Sequence, residues 1–306
     1  MSYYEEKHAD EEEFQKACSY SADALSKKGA HIFMVCVDGS DQSEVAFDAT
    51  MNLRKKYDHV SVFHAFKGGA EDIMPPCFKP NRIKENYEVK LIGSIPSSRF
   101  SMKWEDRKGR PVLETLHHAM FKFSTTERTD LPEGRLPDFV VMGHHGRKGP
   151  KESPTALGSN TDQALRTLHL PCIIIKTPVH RGPRSYIMAV NGTETSHRGL
   201  DILLRLVNPR DSVRCVYMTN PDEDPEETEP LKEYYDRELQ EFGPVDSAFM
   251  TVEKPQGQAL TKALADYVNN SDCDFFAIAP RAKHRLSSVS EYVINHIKCN
   301  VMLCKN

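Results

Sequence analysis

Short, almost unbroken apolar runs alternate along this 306-residue chain with stretches of helical periodicity. The clearest runs are "HIFMVCV" at 31–37, "DFVVMG" at 138–143 and "PCIIIK" at 171–176. Such runs are typical of strands buried on both faces of a parallel sheet. Because helices such as "SEVAFDATMNLRKKY" separate them, the connections are crossovers that leave helices on both faces. The sequence therefore predicts an α/β fold around an open parallel sheet.

The order of strands and helices occurs twice. "RSYIMAVNGTETSHRGLDILLRL" repeats the strand, turn and helix that open the first half, so Asn191 corresponds to Asp38 and Ala279 to Gly143. We predict two tandem domains, each with its own five-stranded parallel sheet. The predicted parts are a polar extension at 1–28, a first domain at 29–177, a proline- and glycine-rich linker at 178–184 and a second domain at 185–306.

The last strands of the two domains, "CIIIK" and "VMLCK", are predicted to pair with each other. An uncovered edge strand invites pairing with another chain, so an internal pseudo-dimer would cover both edges. Whether two whole chains also form a homodimer stays open.

Composition excludes several classes of partner. The net charge of −4 gives no electrostatic case for nucleic acid or a membrane surface. No apolar run reaches the ~18 residues of a membrane span, and the N-terminus lacks a signal pattern, so a cytoplasmic protein is expected. The eight cysteines include no CxxC pair, which favours reduced thiols over disulfides and gives no metal site.

The segment after "DFVVMG" combines glycines with positive charge. Gly143 and Gly146 let backbone approach a ligand closely, and Gly158 and Ser159 open the next helix, whose N-terminus favours phosphate. Positive charge is supplied nearby by Arg147, Lys148 and Lys151. The alternative is an ordinary helix cap of the capping-box type, made by Ser159 and Asp162.

Four segments together resemble the universal stress proteins. They are "VDGSDQSEVAF" at 37–47, "DFVVMGHHG" at 138–146, "LGSNTDQAL" at 157–165 and "LPCIIIK" at 170–176. The resemblance covers about residues 30–306. It implies an adenine-nucleotide alpha-hydrolase-like fold with strand order 3-2-1-4-5 in each domain, and many members of that family bind ATP.

The resemblance also implies ligand contacts in the first domain. It gives Asp38 the adenine, with backbone near Val37 and Ala65. Around the ribose and phosphates it places Gly143, Gly146, Gly158, Ser159, Asn160 and Thr161. The family has nine residues between the second glycine and the Gly-Ser pair, whereas eleven residues, 147–157, lie there in this chain.

The second domain departs further from the family pattern. Ala279 and Ala282 replace the two glycines, and only four residues separate Ala282 from Ser287. We interpret this domain as a degenerate copy kept as a folding partner. The alternative is that its basic cluster at 281–285 contacts an anion.

The predicted function is a stress or signalling module that binds ATP or another adenine nucleotide, with or without Mg²⁺. The sequence shows no convincing pair of magnesium carboxylates and no acceptor base, so a dedicated enzyme is not expected. Two alternatives stay open: a nucleotide-free scaffold of the same fold, and a slow ATPase.

Overall fold

The computed structural model describes residues 30–122, 135–147, 149, 156–223, 225–242, 246–280 and 286–305. The predicted extension at 1–28 and the basic cluster at 281–285 lie outside these ranges. By its contacts the chain divides into two compact units, Met1–Val141 and Met142–Asn306. The predicted domain boundary at 178–184 stays a prediction.

Strands and helices alternate through the described residues. In the first repeat they are β1 (Ile32–Cys36), α1 (Asp41–Leu53), β2 (His59–Phe66), α2 (Pro80–Ile92), β3 (Phe100–Asp106), α3 (Val112–Lys122), β4 (Phe139–Gly143), α4 (Ser159–Thr167) and β5 (Cys172–Ile175). In the second repeat they are β6 (Ser185–Ala189), α5 (Glu194–Leu206), β7 (Ser212–Thr219), α6 (Pro225–Phe242), β8 (Asp246–Glu253), α7 (Leu260–Asn270), β9 (Phe275–Ile278), α8 (Ser288–His296) and β10 (Asn300–Leu303). The described residues also contain three short 3₁₀ turns, at Glu71–Ile73, Pro76–Phe78 and Ser97–Arg99.

The first unit contains strands in the order β3-β2-β1-β4. β1 pairs in parallel with β2, with Ile32 opposite His59, and β2 pairs in parallel with β3. Residues 32–35 of β1 have no exposed surface, as the unbroken apolar run predicted. From Pro75, Pro76 and Pro80 the sequence predicts an irregular segment between β2 and β3, but the structure has helix α2 there. Pro80 occupies the first turn of that helix, where its missing N–H costs no hydrogen bond.

The second unit holds β5 together with all five strands of the second repeat. Parallel pairs join β8 to β7, β7 to β6, β6 to β9 and β9 to β10. β5 then pairs antiparallel with β10, with Ile174 opposite Val301. The predicted pairing of "CIIIK" with "VMLCK" is therefore present, but two separate sheets are not confirmed, since strands of both repeats lie in one sheet.

Buried aspartates fix the same backbone turn in both repeats. Asp58 accepts hydrogen bonds from the N–H groups of His31 (2.8 Å) and Lys55 (2.7 Å). Asp211 accepts in the same way from the N–H groups of Arg184 (2.9 Å) and Asn208 (2.7 Å). Burial raises the pKa of Asp58, while the two backbone donors oppose that shift. Each aspartate thereby joins the start of its first strand to the turn before its second.

Two lysines, the partly exposed Lys176 and the buried Lys305, bind helix ends across the β5–β10 junction. Lys176, which follows β5, donates to the carbonyls of Ile294 (2.6 Å) and Ile297 (2.8 Å) at the end of α8. Lys305, which follows β10, donates to Leu165 and Leu168 at the end of α4. Because β5 and β10 run antiparallel, each lysine caps the helix of the other repeat. Burial lowers the pKa of Lys176 to about 8 and also lowers that of Lys305.

Candidate functional site

The turn after β1 carries Asp38. Its Oδ1 accepts the Ser40 N–H (3.0 Å) and hydroxyl (2.6 Å), and the Ser40 hydroxyl caps α1 by accepting the Ser43 N–H. In the second repeat, Asn191 makes the same bonds to Thr193. Asp38 therefore has a structural role in the turn that sequence analysis missed. Its predicted role toward adenine stays a prediction.

The backbone of Val37 is already hydrogen-bonded within the first unit. Its N–H donates to the Phe63 carbonyl at 2.9 Å, and its carbonyl accepts from Nδ1 of the buried His64 at 2.8 Å. Since a carbonyl only accepts, Nδ1 of His64 carries the proton. A ligand can use the second lone pair of the Val37 carbonyl but not its N–H. Ala65, further along β2, is partly exposed.

In the second unit, the backbone after β4 folds against the start of α4. The Gly158 N–H donates to the His144 carbonyl at 2.7 Å, and the Thr161 hydroxyl donates to the Gly143 carbonyl at 2.9 Å. A Cβ on Gly158 would lie 3.0 Å from the His145 Cα and 3.4 Å from the Gly146 nitrogen. Glycine at 158 thus permits a close approach of backbone to the helix N-terminus.

The N-terminus of α4 has no side-chain cap. Gly158 occupies the cap position, and Ser159 is the first helical residue, so the alternative capping box of Ser159 with Asp162 is wrong. Asp162 instead binds Arg166 one turn later. The side chains of Ser159 and Asn160 are exposed. Backbone N–H groups of this first turn, which point along the helix axis, suit an anion.

The equivalent helix of the second repeat caps itself. Ser287 holds the cap position of α8, and its hydroxyl accepts the Ser290 N–H at 3.1 Å. Gly199 of α5 leaves room for Ala279, because a Cβ on Gly199 would lie 2.7 Å from that of Ala279. The methyl group that replaces the first glycine is thus used in packing. Both features agree with a degenerate second copy.

The positive charge predicted near the loop is only partly described. Arg147 is exposed, whereas Lys148 and Lys151 lie outside the described residues. Arg166 contacts Glu291 of α8 at 2.6 Å as well as Asp162, and these hydrogen bonds raise its pKa. Arg166 therefore links the two repeats within the second unit.

Comparison with known proteins rests on structure alone. Neither a family model nor a curated protein matches the sequence. A candidate universal stress protein from Pseudomonas aeruginosa UCBPP-PA14 matches with a TM-score of 0.56 at 12% identity, over 92% of this chain and 95% of that one. A protein of unknown function from P. aeruginosa PAO1 matches with a TM-score of 0.55 at 12% identity, over 92% and 94%.

The chain has the universal stress protein fold. The same fold likeness extends to the cytoplasmic domain of a prokaryotic cation chloride cotransporter, with a TM-score of 0.55 at 8% identity over 91% of this chain and 96% of that one. Because the universal stress protein fold carries different functions, function must be argued from the site.

The described residues contain no group of three or more histidine, cysteine, aspartate or glutamate side chains arranged to hold a metal ion. Among the same residues, no helix is both long and apolar enough to cross a membrane.

Proposed function

We propose that this chain binds an adenine nucleotide, with its phosphates at the N-terminus of α4, and serves as a signalling module of the universal stress type. ATP is the first candidate, with Mg²⁺ carried on its phosphates. The observation that carries the proposal is the glycine cap of α4. Glycine has no side chain to cap the first-turn N–H groups, and backbone packs so closely there that a Cβ at 158 would lie 3.0 Å from the His145 Cα.

The contrast between the repeats supports one site and not two. At the equivalent helix, α8, the Ser287 hydroxyl occupies the place that an anion would take. We propose that only the first repeat holds a nucleotide. The segment between Gly146 and Gly158 is two residues longer than in the family.

Nucleotide retained through purification is the first measurement. Protein purified from cells is denatured, and the supernatant is assayed for adenine nucleotides. Near-stoichiometric ATP supports the proposal, and ADP or AMP points to slow hydrolysis, which phosphate release at stoichiometric protein then tests. We propose binding without dedicated turnover. No retained nucleotide, and no thermal shift with ATP and magnesium, would favour a nucleotide-free scaffold.

Ser159→Asp is expected to weaken nucleotide binding by roughly 30-fold. An added carboxylate costs about 2 kcal/mol against phosphate a few ångströms away in a partly exposed site. An aspartate at the first position of a helix interacts favourably with the helix dipole, so we expect the variant to keep its fold. The measurement is calorimetric titration with ATP.

Ser288→Asp is the matched control for this variant. Ser288 is the exposed first residue of α8, as Ser159 is of α4. Equal loss of affinity in both variants would contradict binding at α4. Unchanged affinity in Ser159→Asp would do the same.

Asp38→Asn is expected to weaken nucleotide binding by about fivefold. An amide oxygen keeps the bonds to Ser40, as Asn191 shows for Thr193. The charge-assisted part of a hydrogen bond to the nucleoside is lost, worth about 1 kcal/mol. The change in affinity is measured by titration with ATP and, separately, with inorganic triphosphate. We expect the affinity for ATP to fall and the affinity for triphosphate to stay the same.

A further inference from the structure

Two cysteines distant in sequence face each other in the second unit. The Sγ atoms of Cys273 and Cys299 lie 3.4 Å apart, and both side chains are partly exposed. Cys273 lies just before β9 and Cys299 just before β10. Neither belongs to the proposed nucleotide site, and the sequence, with no CxxC motif, gave no sign of the pair.

A hydrogen bond holds together the backbone next to the two thiols. The Asn300 N–H donates to the Asp274 carbonyl at 3.1 Å, and these residues directly follow Cys299 and Cys273. The bond belongs to the parallel pairing of β9 with β10. Since a disulfide has an S–S length of about 2 Å, the two sulfurs, now 3.4 Å apart, must approach by about 1.4 Å to form one.

The charges around the two sulfurs differ. The pKa of Cys299 is lowered, chiefly because the Cys273 thiol donates a hydrogen bond to its sulfur. Burial acts in the opposite direction, and the nearby ammonium of Lys176 lowers the pKa of Cys299 further. Cys273 stands between Asp272 and Asp274, and its pKa is raised by the hydrogen bond to Cys299, by burial and by these carboxylates. A thiolate is the nucleophilic form of cysteine, so Cys299 is the attacking sulfur and Cys273 the resolving one.

Four of the other described cysteines lie in different surroundings. Burial raises the pKa of Cys172 to about 11 and that of Cys215 to about 12, which keeps both as inert thiols. Cys304 is also buried, and its pKa is raised for the same reason. Cys77 is exposed and serves as an internal control for accessibility alone.

We propose that Cys273 and Cys299 form a redox site that a hydroperoxide closes reversibly into a disulfide. The Cys299 thiolate attacks one peroxide oxygen, the O–O bond breaks, and the leaving oxygen departs with a proton as water or alcohol. The resulting sulfenic acid is attacked by the Cys273 sulfur, which forms the S–S bond and releases water. The protein loses two electrons and two protons to the peroxide. A dithiol reopens the bond by exchange.

The test treats the full chain with hydrogen peroxide, blocks remaining thiols by alkylation and maps the peptides by mass spectrometry. The expected product is a Cys273–Cys299 cross-link, two hydrogen atoms lighter than the reduced pair and reversed by dithiothreitol. Cys77 should stay alkylated at peroxide levels that close the pair. Absence of the cross-link, or equal oxidation of Cys77, would overturn the proposal.

Two variants assign the roles of the sulfurs. In Cys273→Ser, Cys299 should accumulate as a sulfenic acid that a dimedone probe traps. In Cys299→Ser, oxidation of Cys273 should slow by at least about tenfold, because its thiolate is disfavoured. Cys77→Ser is the matched control and should form the cross-link at the normal rate. If Cys273→Ser leaves Cys299 unlabelled while its circular dichroism is native, Cys299 is not the attacking sulfur and the site is wrong.

Discussion

Replacing Asp138 by alanine is expected to lower the free energy of unfolding by about 3–5 kcal/mol. The Asp138 side chain has no exposed surface and accepts from the Ile32 N–H at 2.7 Å and from the Arg135 guanidinium at 2.9 Å. Arg135 is itself 15% exposed, so the variant leaves a mostly buried cation and a buried N–H without their partner. Chemical denaturation followed by circular dichroism measures the loss.

Asp274→Ala is the matched control for Asp138→Ala. Asp274 holds the equivalent place in the second repeat, where it accepts from the N–H and hydroxyl of Ser185. It is exposed, so water replaces the lost partner, and we expect a loss under about 1 kcal/mol. Similar losses in the two variants would show that burial and the arginine are not the cause.

Replacing Lys305 by methionine is expected to lower the free energy of unfolding by about 2–6 kcal/mol. Lys305 is 4% exposed, and its ammonium donates to two carbonyls at the end of α4. Methionine fills nearly the same volume but donates nothing. Two helix-terminal carbonyls then lose a partner in a buried place, at about 1–3 kcal/mol each in the absence of water. Thermal and chemical unfolding both measure this loss of stability.

Lys298→Met tests whether any lysine near the end of the chain has this effect. Lys298 is exposed, and we expect no measurable change. Lys176→Met removes the reciprocal cap on α8 and should behave like Lys305→Met, with a smaller loss because Lys176 is partly exposed. A Lys305→Met variant as stable as the parent would mean that water satisfies these carbonyls.

Elements with strong local signals were predictable from the sequence. The runs that became β1, β4 and β5 have no polar position to face water, and the structure buries them completely or nearly so. α2 was missed because proline is usually read as a helix breaker, although at the first turn it is well tolerated. The local sequence pattern therefore predicted the type of most elements. It failed at α2, where the position of Pro80 within the helix decides whether the helix can form.

Contacts between distant residues were less predictable. An apolar run such as "CIIIK" predicts a strand whose edge is paired with another strand. No local feature of the sequence tells whether that pairing keeps two separate sheets or joins strands of both repeats in one sheet. The Cys273–Cys299 pair and the aspartates of the turns arise only once strands are aligned. At the candidate site, the sequence correctly predicted that Gly158 and Ser159 open a helix, and only the alternative interpretation placed the cap at Ser159.

The antiparallel pairing of β5 with β10 also has a consequence for synthesis of the chain. Lys176, which follows β5, donates its N–H to the side chain of Asn300, the first residue of β10, and the two residues are 124 positions apart. At about 5–20 residues per second, the ribosome leaves β5 without this partner for roughly 6–25 s. During that interval an apolar strand edge is open to other nascent chains, so translation speed and chaperone supply should govern the yield of folded protein more strongly than the stability of the finished molecule does.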